Sequence, residues 1–452
     1  MSPVVERAAL PIRLVVLNHN GGDLTVRCLQ HLLALDWPSE QLEIICLDND
    51  SSDGSIDRIE REFSTVDVRR LGTNNGFPAN NEALGNLDCI RYVGLVNNDA
   101  FVEPDWLRRL VAELDRDHGV GAVCPKILLE PKFATVSIHS SHYDAGAGDR
   151  RSLGLRLRKV EVDGVDVSAS AHFGESGWGR EFDRYGTFEW SRPDAILKVP
   201  AVDAEGAFEC VLTIEVPEAG TIVIDGGEGA IEWVLPVGTI RVSVQVSTPR
   251  VDVINNIGSV VFSDGYGADR GWLEIDNGQF DQPADVFAWC GGGVLFRPEF
   301  LLDVGLFEEQ YFLYYEDTDL SWRGRARSWR YRTVPDARMR HVHAASTGEV
   351  PSLSSYLTER NRLLMLVRNA SARLALLQAL RFPLTIVSFA RRDLMGPALH
   401  KRRPSGVVVV LRFRSYLGFL KMVPAAISQR RQLRDRQIVP DSEIEGWFVS
   451  HG

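Results

Sequence analysis

Short apolar runs alternate with stretches of helical spacing over the first 130 residues. Residues 12–17, 42–47 and 92–96 are apolar runs of strand length, and leucines recur at helical spacing over 24–35. Residues 104–115 have the pattern of a helix with a proline near its start, where proline is favoured. This alternation predicts a parallel sheet with crossover helices. Ligands of such sheets bind beyond the carboxyl ends of the strands, which here carry Asn18, Asp48 and Asp99.

The pattern changes between residues 131 and 250. Helical periodicity gives way to short β-rich runs that glycine and proline interrupt, for example over 210–216 and 239–246. This pattern is typical of an antiparallel sandwich or jelly roll. From 251 the α/β pattern returns, and after about 351 the chain is mostly helical, with arginines among leucine, valine and phenylalanine. We therefore predict four segments, with bounds 1–130, 131–250, 251–350 and 351–452, and the α/β fold class.

Composition and charge bear on location and partners. The chain has 452 residues and six cysteines without a CxxC pair, which favours a reducing, cytoplasmic compartment. No signal-peptide core opens the chain and no run of about 18 uncharged apolar residues occurs, so we expect no membrane span. The net charge is −11, yet residues 356–439 hold 17 Lys or Arg against three acids. A basic end on an acidic protein indicates a polyanionic surface as partner, while no nucleic-acid-binding motif is present.

Two polar clusters at predicted strand ends are candidates for chemistry. Asp48, in LDNDSSDGS, has a carboxylate suited to hydrogen bonds from a base or ribose; alternatively this loop caps the next helix. Asp99, in the run Asn97-Asn98-Asp99, is suited to a hard divalent cation, because Mg²⁺ binds one or two carboxylates plus substrate phosphates. The alternative is a turn rich in Asn and Asp.

A third cluster holds three acids, Glu316, Asp317 and Asp319, among aromatic residues. A positioned carboxylate of this kind can act as the general base that deprotonates a sugar hydroxyl. The alternative is that these acids favour the first turn of a helix through its dipole, with the aromatic residues in the core.

Histidines and glycines complete the candidates. A neutral imidazole of His341 or His343 can ligate a metal, although a lone histidine is more often structural. The glycines of Trp289-Cys290-Gly291-Gly292-Gly293 allow close approach of backbone to a ligand. This run matches neither GxGxxG nor a P-loop, which disfavours a dehydrogenase or an ATPase.

In order and spacing these clusters resemble family 2 glycosyltransferases of the GT-A fold, particularly the bacterial rhamnosyltransferase-like branch. The matching segments are VVLNHNGGDLTVRCLQHLL (15–33), CLDNDSSDGSID (46–57), TNNGFPANNEAL (73–84), YVGLVNNDAFVEPDWL (92–107), WCGGGVLFRPEFLLDVGLFEEQYFLYYEDTDLSWR (289–323), VPDARMRHVHAAS (334–346) and TERNRLLMLVRN (358–369). The resemblance implies a GT-A-type Rossmann-like mixed sheet, with 1–130 as its nucleotide-sugar-binding half and 251–350 as its acceptor and catalytic half.

The resemblance also implies roles for individual residues. The donor nucleotide is expected at Asn18, Asp48, Asn49, Asn75, Gly76, Asn80 and Asn98. Asp99 and His341 are expected to hold Mg²⁺ or Mn²⁺, and Asp317 to be the catalytic base with Glu316 beside it. The acceptor pocket is expected at Trp289, Gly291, Gly292, Tyr315 and Arg323. The expected reaction inverts configuration and moves a sugar, rhamnose favoured, from a dTDP- or UDP-linked donor to a glycan or polyprenyl-linked acceptor in cell-surface polysaccharide synthesis.

The chain departs from the family pattern in four places. The metal motif is Asn-x-Asp, which leaves one carboxylate, and Leu306-Phe307-Glu308-Glu309 stands where the family usually has Gly-Phe-Asp-Glu. Pro78 is unusual in its loop, and the segment 131–250 is foreign to the family core. That insert is a candidate carbohydrate-binding module or oligomerisation surface, and its Trp178, Phe188, Trp190 and Trp233 either stack on sugars or form its core.

Several alternatives stay open at this stage. The basic tail either lies on an anionic bilayer at the inner face of the cell membrane or packs on the core with its arginines in water. The donor is alternatively UDP-galactofuranose or a UDP-N-acetylhexosamine. The competing function is a non-catalytic glycan-binding or scaffold protein on a transferase fold, and a homo-oligomer is possible.

Overall fold

The computed structural model describes residues 9–144, 151–183, 185–201, 206–342, 351–395 and 406–450. The chain forms two compact units, each discontinuous in sequence. Unit 1 comprises Met1–Ile127, Asn256–Arg270 and Phe280–Gly452, and unit 2 comprises Leu128–Asn255 and Gly271–Gln279. The segment Gly271–Gln279 therefore belongs to unit 2, although the sequence pattern grouped it with the second half of the transferase fold.

Within the described residues, a nine-stranded mixed sheet forms the centre of unit 1. Its strand order is β3-β2-β1-β4-β20-β6-β21-β5, with β17 beside β6. The strands are β1 Ile12–Asn18, β2 Leu42–Asp48, β3 Asp67–Arg70, β4 Tyr92–Asn97, β5 Ala100–Val102, β6 Val120–Leu129, β17 Ile254–Asn256, β20 Gly293–Phe296 and β21 Arg330–His341. Strand β1 pairs in parallel with β2 and β4, whereas β20 is antiparallel to β4 and β6. The three apolar runs of the first segment are thus the parallel strands that their pattern predicted, and the α/β class is confirmed.

Alternate residues of β1 face two separate cores, one on each side of the sheet. Leu14 and Val16 pack in a core that includes Trp106, whereas Val15 packs in a second core that includes Trp289. A strand that is covered on both faces needs apolar residues at successive positions, which explains the uninterrupted apolar run.

Helices cover the sheet and extend from it. They are α1 Gly22–Leu33, α2 Ser55–Glu62, α3 Asn81–Leu84, α4 Trp106–Arg116, α5 Pro298–Val304, α6 Glu316–Ala326, α7 Pro351–Asn369, α8 Ala372–Ala390, α9 Val407–Arg436 and α10 Asp441–Glu445. A short hairpin, β18 Ser259–Val261 and β19 Gly267–Asp269, also belongs to unit 1. The helical tail packs through its inner side: Phe382 of α8 stacks on Tyr416 of α9, and both join a core that contains Leu363 of α7.

Unit 2 is an antiparallel β-sandwich. One sheet has the order β10-β11-β8-β13-β16 with β9 beside β8, and the other has the order β12-β7-β14-β15. Their bounds are β7 Phe133–Ser140, β8 Arg156–Val162, β9 Val165–Asp166, β10 Gly177–Asp183, β11 Gly186–Ser191, β12 Asp194–Pro200, β13 Phe208–Val216, β14 Gly220–Asp225, β15 Ala230–Leu235 and β16 Gly238–Val246. Alternate residues such as Leu212, Ile214 and Ile224 meet in one core, as the two-residue period of the strands requires.

Four aromatic residues of unit 2 had two open interpretations. Phe188 and Trp190 are buried together, and Trp178 and Trp233 pack against buried clusters. These positions favour the core interpretation over sugar stacking.

Candidate functional site

The carboxyl ends of the parallel strands bring Asn18 and Asp48 side by side. These two residues are register partners at the ends of β1 and β2, and Leu17 pairs with Asn97 of β4. Asp48 is almost fully buried, and one carboxylate oxygen accepts a hydrogen bond from the Ser51 backbone N–H at 3.3 Å. The strand-end edge therefore gathers the first polar cluster that the sequence indicated.

Asn18 organises this edge from inside the fold. Its Nδ2 donates to the Ser51 and Ser55 hydroxyls at 3.0 Å, and its Oδ1 accepts from the Thr25 hydroxyl at 2.7 Å. Asn98 Nδ2 donates to the same Thr25 hydroxyl at 3.1 Å. Both amides are buried and hold loops together, and the direct nucleotide contact expected of them stays a prediction.

Asn49 shapes the loop that was predicted to lie near the donor. Its Oδ1 accepts from the Asn75 backbone N–H at 2.9 Å, and its Nδ2 donates to the Gly76 carbonyl at 3.2 Å. Asn80 is buried and donates to the Phe77 carbonyl at 2.9 Å. Asn74 and Asn75 are both exposed, and of the two, Asn74 bonds through its side chain to Asn49 and to the Gly76 backbone N–H.

Gly76 lets this loop touch the segment that leads to Asp317. Its φ is +66°, a conformation that favours glycine, and a Cβ there would lie 2.0 Å from the Phe312 carbonyl oxygen. That carbonyl accepts a hydrogen bond from the Phe77 backbone N–H at 2.8 Å. The close approach therefore requires glycine at this position.

Asp99 and His341 meet at the predicted metal position. His341 is the last residue of β21 and pairs with Ala100 of β5, which places its Nε2 3.0 Å from Asp99 Oδ1. Both side chains are largely buried. His343, the alternative metal ligand, lies outside the residues that the structure describes. No group of three or more His, Cys, Asp or Glu side chains suited to a metal occurs in the described part of the chain.

Glu316 and Asp317 open helix α6. The half-buried Asp317 accepts from the Thr318 backbone N–H at 2.6 Å and the Thr318 hydroxyl at 3.1 Å. Burial raises the pKa of the Asp317 carboxyl, and hydrogen bonds from Thr318 and the Gly291 N–H lower it in part. Burial raises the pKa of Glu316 well above its usual range, with a further increase from the charge of Asp317. Its Oε2 is buried and makes no hydrogen bond among the described residues.

The backbone before Asp317 is strained. Phe312, Tyr314 and Tyr315 all have φ near +70°, which bulky side chains rarely adopt and which costs on the order of 1–3 kcal/mol per residue. Such a conformation persists only where surrounding contacts impose it. The contacts here come from helix α7, which the sequence did not connect with the site.

Asn361 of α7 imposes this conformation. Its buried Nδ2 lies 3.0, 2.8 and 2.9 Å from the carbonyl oxygens of Tyr311, Leu313 and Tyr314. The neighbouring Arg360 donates to the Tyr311 carbonyl at 2.9 Å. The match of residues 358–369 to the family signalled that this helix matters, but it did not assign Asn361 a contact.

Asp319 is a structural centre and not part of the chemistry. It is fully buried, and its oxygens accept from Arg323 and Arg368 at 2.8 Å, Asn369 at 2.7 Å and Tyr311 at 3.0 Å. Although burial opposes ionisation, the two guanidinium groups lower the pKa of Asp319 to about 2. Arg323 also donates to two backbone carbonyls, so its donors are occupied inside the fold. These contacts favour a structural role for Arg323, and its place in the acceptor pocket stays a prediction.

Two other predicted pocket residues are also buried. Trp289 packs edge-to-face on Phe296 and Phe307 and has no solvent exposure. Tyr315 is buried, and its hydroxyl accepts from the Gly267 backbone N–H at 3.1 Å. Both side chains pack inside the fold, and their place in the acceptor pocket stays a prediction.

The two predicted pocket glycines bring backbone into close contact with the site. A Cβ on Gly291 would lie 2.7 Å from the Phe77 ring, and its N–H reaches Asp317. The Gly292 carbonyl accepts from the Asn97 N–H at 3.1 Å. The glycine run therefore contacts the end of β4, the loop of Phe77 and the carboxyl of Asp317.

Asp269 is a further carboxylate of the site, and no sequence motif indicated it. It ends β19, solvent reaches its side chain, and it accepts from Asn256 Nδ2 at 2.5 Å. Its pKa is raised to about 6, mainly by desolvation and partly by the charge of Asp317, while the hydrogen bond from Asn256 and the charge of His341 act in the opposite direction. Asp269 thus lies within electrostatic reach of both Asp317 and His341.

Comparison with known proteins agrees with this geometry. Residues 14–168 match the family described as glycosyl transferase family 2. A poly(ribitol-phosphate) beta-glucosyltransferase of Bacillus spizizenii, strain W23, is 30% identical over 105 residues, which are 22% of this chain and 16% of that protein. The chain thus spans about a sixth of the length of this relative. The matched segment is thus similar to family 2 glycosyltransferases, in agreement with the enzyme class that the sequence motifs led us to expect.

Three solved structures also have some likeness to the chain. GalNAc-T7 with UDP, GalNAc and Mn²⁺ has a TM-score of 0.44 at 12% identity, covering 93% of this chain and 57% of that one. Staphylococcus aureus TarS 1–349 has a TM-score of 0.39 at 13% identity, covering 96% and 89%. The mannosyltransferase PcManGT of Pyrobaculum calidifontis with GDP-Man and Mn²⁺ has a TM-score of 0.41 at 13% identity, covering 94% and 86%.

Proposed function

We propose that the chain is a metal-dependent, inverting glycosyltransferase that moves a sugar from a nucleoside diphosphate donor to a glycan or lipid-linked acceptor. One observation carries this proposal: Asp99, His341, Asp269 and Asp317, from four separate elements, converge at the carboxyl end of the sheet. A base and a cation site at one cleft are the parts that this displacement needs.

Asp317 is the proposed base. It removes the proton of the acceptor hydroxyl while that oxygen bonds to the anomeric carbon and the bond from this carbon to the diphosphate breaks. One displacement from the opposite face inverts the configuration, and the nucleoside diphosphate leaves with the bonding electrons. The neighbouring Glu316 differs from Asp317 in its surroundings, because burial and the charge of Asp317 raise its pKa well above the usual range and its Oε2 makes no hydrogen bond among the described residues.

The side chains of Asp99 and His341 are spaced as two ligands of one divalent cation would be. Two adjacent ligands of an octahedral Mg²⁺, each about 2.1 Å from the ion, lie about 3 Å apart, and Asp99 Oδ1 and His341 Nε2 are 3.0 Å apart. Asp99 and His341 would hold the ion, with donor phosphates and water as its other ligands. When bound, Mg²⁺ or Mn²⁺ would neutralise charge that develops on the leaving diphosphate.

The donor is proposed to bind at the loop that Asn49 organises, with Asp48 facing the nucleobase and ribose of the donor. A dTDP-linked rhamnose is favoured by the resemblance of the motifs, and UDP-galactofuranose and UDP-N-acetylhexosamines are the alternatives. Asn75 is the proposed direct contact of this loop with the donor, because its side chain is exposed while the amides of Asn49, Asn74 and Asn80 bond within the loop.

The first test is a panel of nucleotide sugars with Mn²⁺, Mg²⁺ or EDTA, followed by donor hydrolysis and thermal stabilisation. A metal-dependent response to one donor is expected and identifies the nucleotide and the sugar together. Asp317→Asn should then lower turnover by roughly 10²–10⁴ while donor stabilisation remains. The matched control is Asp336→Asn, an exposed aspartate on β21. Near-normal turnover by Asp317→Asn excludes it as the base, and no response to any donor favours a non-catalytic scaffold.

A further inference from the structure

Helix α8 turns an apolar row away from the protein. The row consists of five large side chains that are 40–68% exposed, and its spacing of three and four residues keeps them on one side: Leu376, Leu377, Leu380, Leu384 and Val387. The opposite side packs inward through Phe382 and Ala375. An amphipathic helix of a soluble protein turns its apolar side to the core. An exposed apolar row therefore indicates a surface that another molecule covers.

Helix α9 repeats the arrangement. Its outward row is 42–57% exposed and extends over most of the helix: Val407, Val410, Phe413, Leu417, Leu420 and Ile427. Its inner side packs through Tyr416, whose hydroxyl donates to the Ala379 carbonyl of α8 at 3.3 Å. The two rows are hereafter called the tail face. Single exposed apolar residues are ordinary, whereas ordered rows on two neighbouring helices mark an interaction surface.

Charges beside the tail face identify the partner. Exposed basic side chains flank the rows, among them Arg381 on α8 and Arg414 and Lys421 on α9. Between residues 372 and 436 the sequence contains two acids, Asp393 and Asp435, at the far ends of the two helices. Apolar side chains with a basic border match a bilayer interface that carries anionic headgroups.

A second copy of the chain matches the tail face less well. A two-fold symmetric interface would place the same basic border against itself, and like charges across an interface cost free energy. A helix that spans the bilayer also fits less well. Ala372–Met395 is long and apolar enough by length and composition, and among the described residues it is the segment that meets this test. However, spanning would place Gln378, now buried against protein, and Arg381 in hydrocarbon.

We propose that the tail face lies in the plane of an anionic lipid bilayer, with α8 and α9 as a two-helix membrane contact. This surface goes beyond the proposed transferase reaction, because bilayer binding requires neither donor nor metal. Helix α7 leads into α8 and also holds the backbone before Asp317, so the contact would bring the active-site unit to a lipid-linked acceptor.

Vesicle flotation of the full chain tests this proposal. The probes are vesicles of phosphatidylcholine alone and of phosphatidylcholine mixed with phosphatidylglycerol. The wild-type chain is expected to float with the anionic vesicles and to be released by high salt and by an alkaline wash. The variant Leu380→Gln/Leu384→Gln/Leu417→Gln/Leu420→Gln should lose at least about tenfold in partitioning.

Two further variants separate the outcomes. Arg381→Gln/Arg414→Gln/Lys421→Gln should lose the preference for anionic vesicles, and Leu33→Gln/Leu302→Gln, exposed leucines on α1 and α5, should bind as the wild type does.

Equal binding by the tail-face leucine variant overturns the proposal. Retention after the alkaline wash indicates a spanning helix, and a dimer that this variant converts to a monomer without vesicle binding indicates a second copy; either result overturns the in-plane contact. Donor hydrolysis should be equal in all four proteins, so a failure of the transferase proposal is seen separately.

Discussion

The imidazole Nε2 of His341 lies 3.0 Å from Asp99 Oδ1, because antiparallel pairing of β21 with β5 sets the two residues against each other. Strand β21 follows the insert in the sequence, yet it brings His341 beside Asp99, which belongs to the first segment of the chain. The distance suits two neighbouring ligands of one cation.

His341→Ala should weaken Mn²⁺ binding at least about tenfold, because one of two protein ligands is lost. Calorimetric titration of the full chain with Mn²⁺ measures this directly and does not depend on a known donor. His142→Ala, an exposed histidine of unit 2, is the matched control and should bind as the wild type does. An unchanged dissociation constant in His341→Ala would show that this imidazole does not ligate the ion.

Asn361→Ala should lower kcat by roughly 10–100-fold and leave the donor KM within about threefold, because displacing the backbone before Asp317 misplaces the base. Asn361→Asp should be worse, since a carboxylate repels the three carbonyls that the amide now serves. Steady-state kinetics with the donor that the panel identifies provides the split. Val111→Ala, a buried change on α4, controls for lost stability alone. If Val111→Ala lowers kcat as much as Asn361→Ala does, the effect of Asn361 is explained by lost stability and not by the position of Asp317.

Asp319→Ala should lower the free energy of unfolding by roughly 3–5 kcal/mol, because it leaves Arg323 and Arg368 buried without their carboxylate. Its pKa of about 2 in the folded chain lies below the unfolded value, so this stabilisation is present above about pH 4 and is lost as the pH falls toward 2. Urea unfolding at pH 7 and pH 3 measures both effects. Asp336→Ala, which is exposed, should change neither.

Glu189→Gln should stabilise the chain at pH 8 and leave it unchanged near pH 4. Burial raises the pKa of Glu189 to about 7 in the folded state, above the unfolded value of about 4.3. The folded state therefore binds the extra proton between these values, and stability falls as the pH rises from about 4 to 7. Thermal unfolding at several pH values should show a flatter profile for the variant. Glu232→Gln, exposed on β15, is the control, and identical profiles for Glu189→Gln and wild type would contradict the raised pKa.

Local pattern predicted the elements that hold the first half of the site. The apolar runs of β1, β2 and β4 and their polar ends identify the sheet edge without reference to any other segment. The acids at 316 and 317 were expected at a helix start, and α6 begins at Glu316. The same pattern also indicated a sandwich between the two halves.

Pattern failed where a residue's role depends on a distant partner. Arg323 resembles an exposed helical arginine in sequence, yet the buried Asp319 and two carbonyls occupy its donors. Asn18 and Asn98 were expected at the donor nucleotide, and only the structure shows that their buried amides also tie loops together. No motif indicated Asp269, and the family match over 358–369 gave Asn361 no contact, because their importance arises from what β19 and α7 pack against.

The sequence alone determined the order of strands and helices, the α/β class, the resemblance to a transferase family and the basic, arginine-rich tail, because these follow from periodicity, composition and contiguous motifs. The tertiary structure decided which polar side chains face the cleft and which are hydrogen-bonded inside the fold. It also decided which side of α8 and of α9 exposes its apolar residues. Those outcomes depend on burial and on contacts between residues far apart in the chain, and neither is encoded in any single stretch of it.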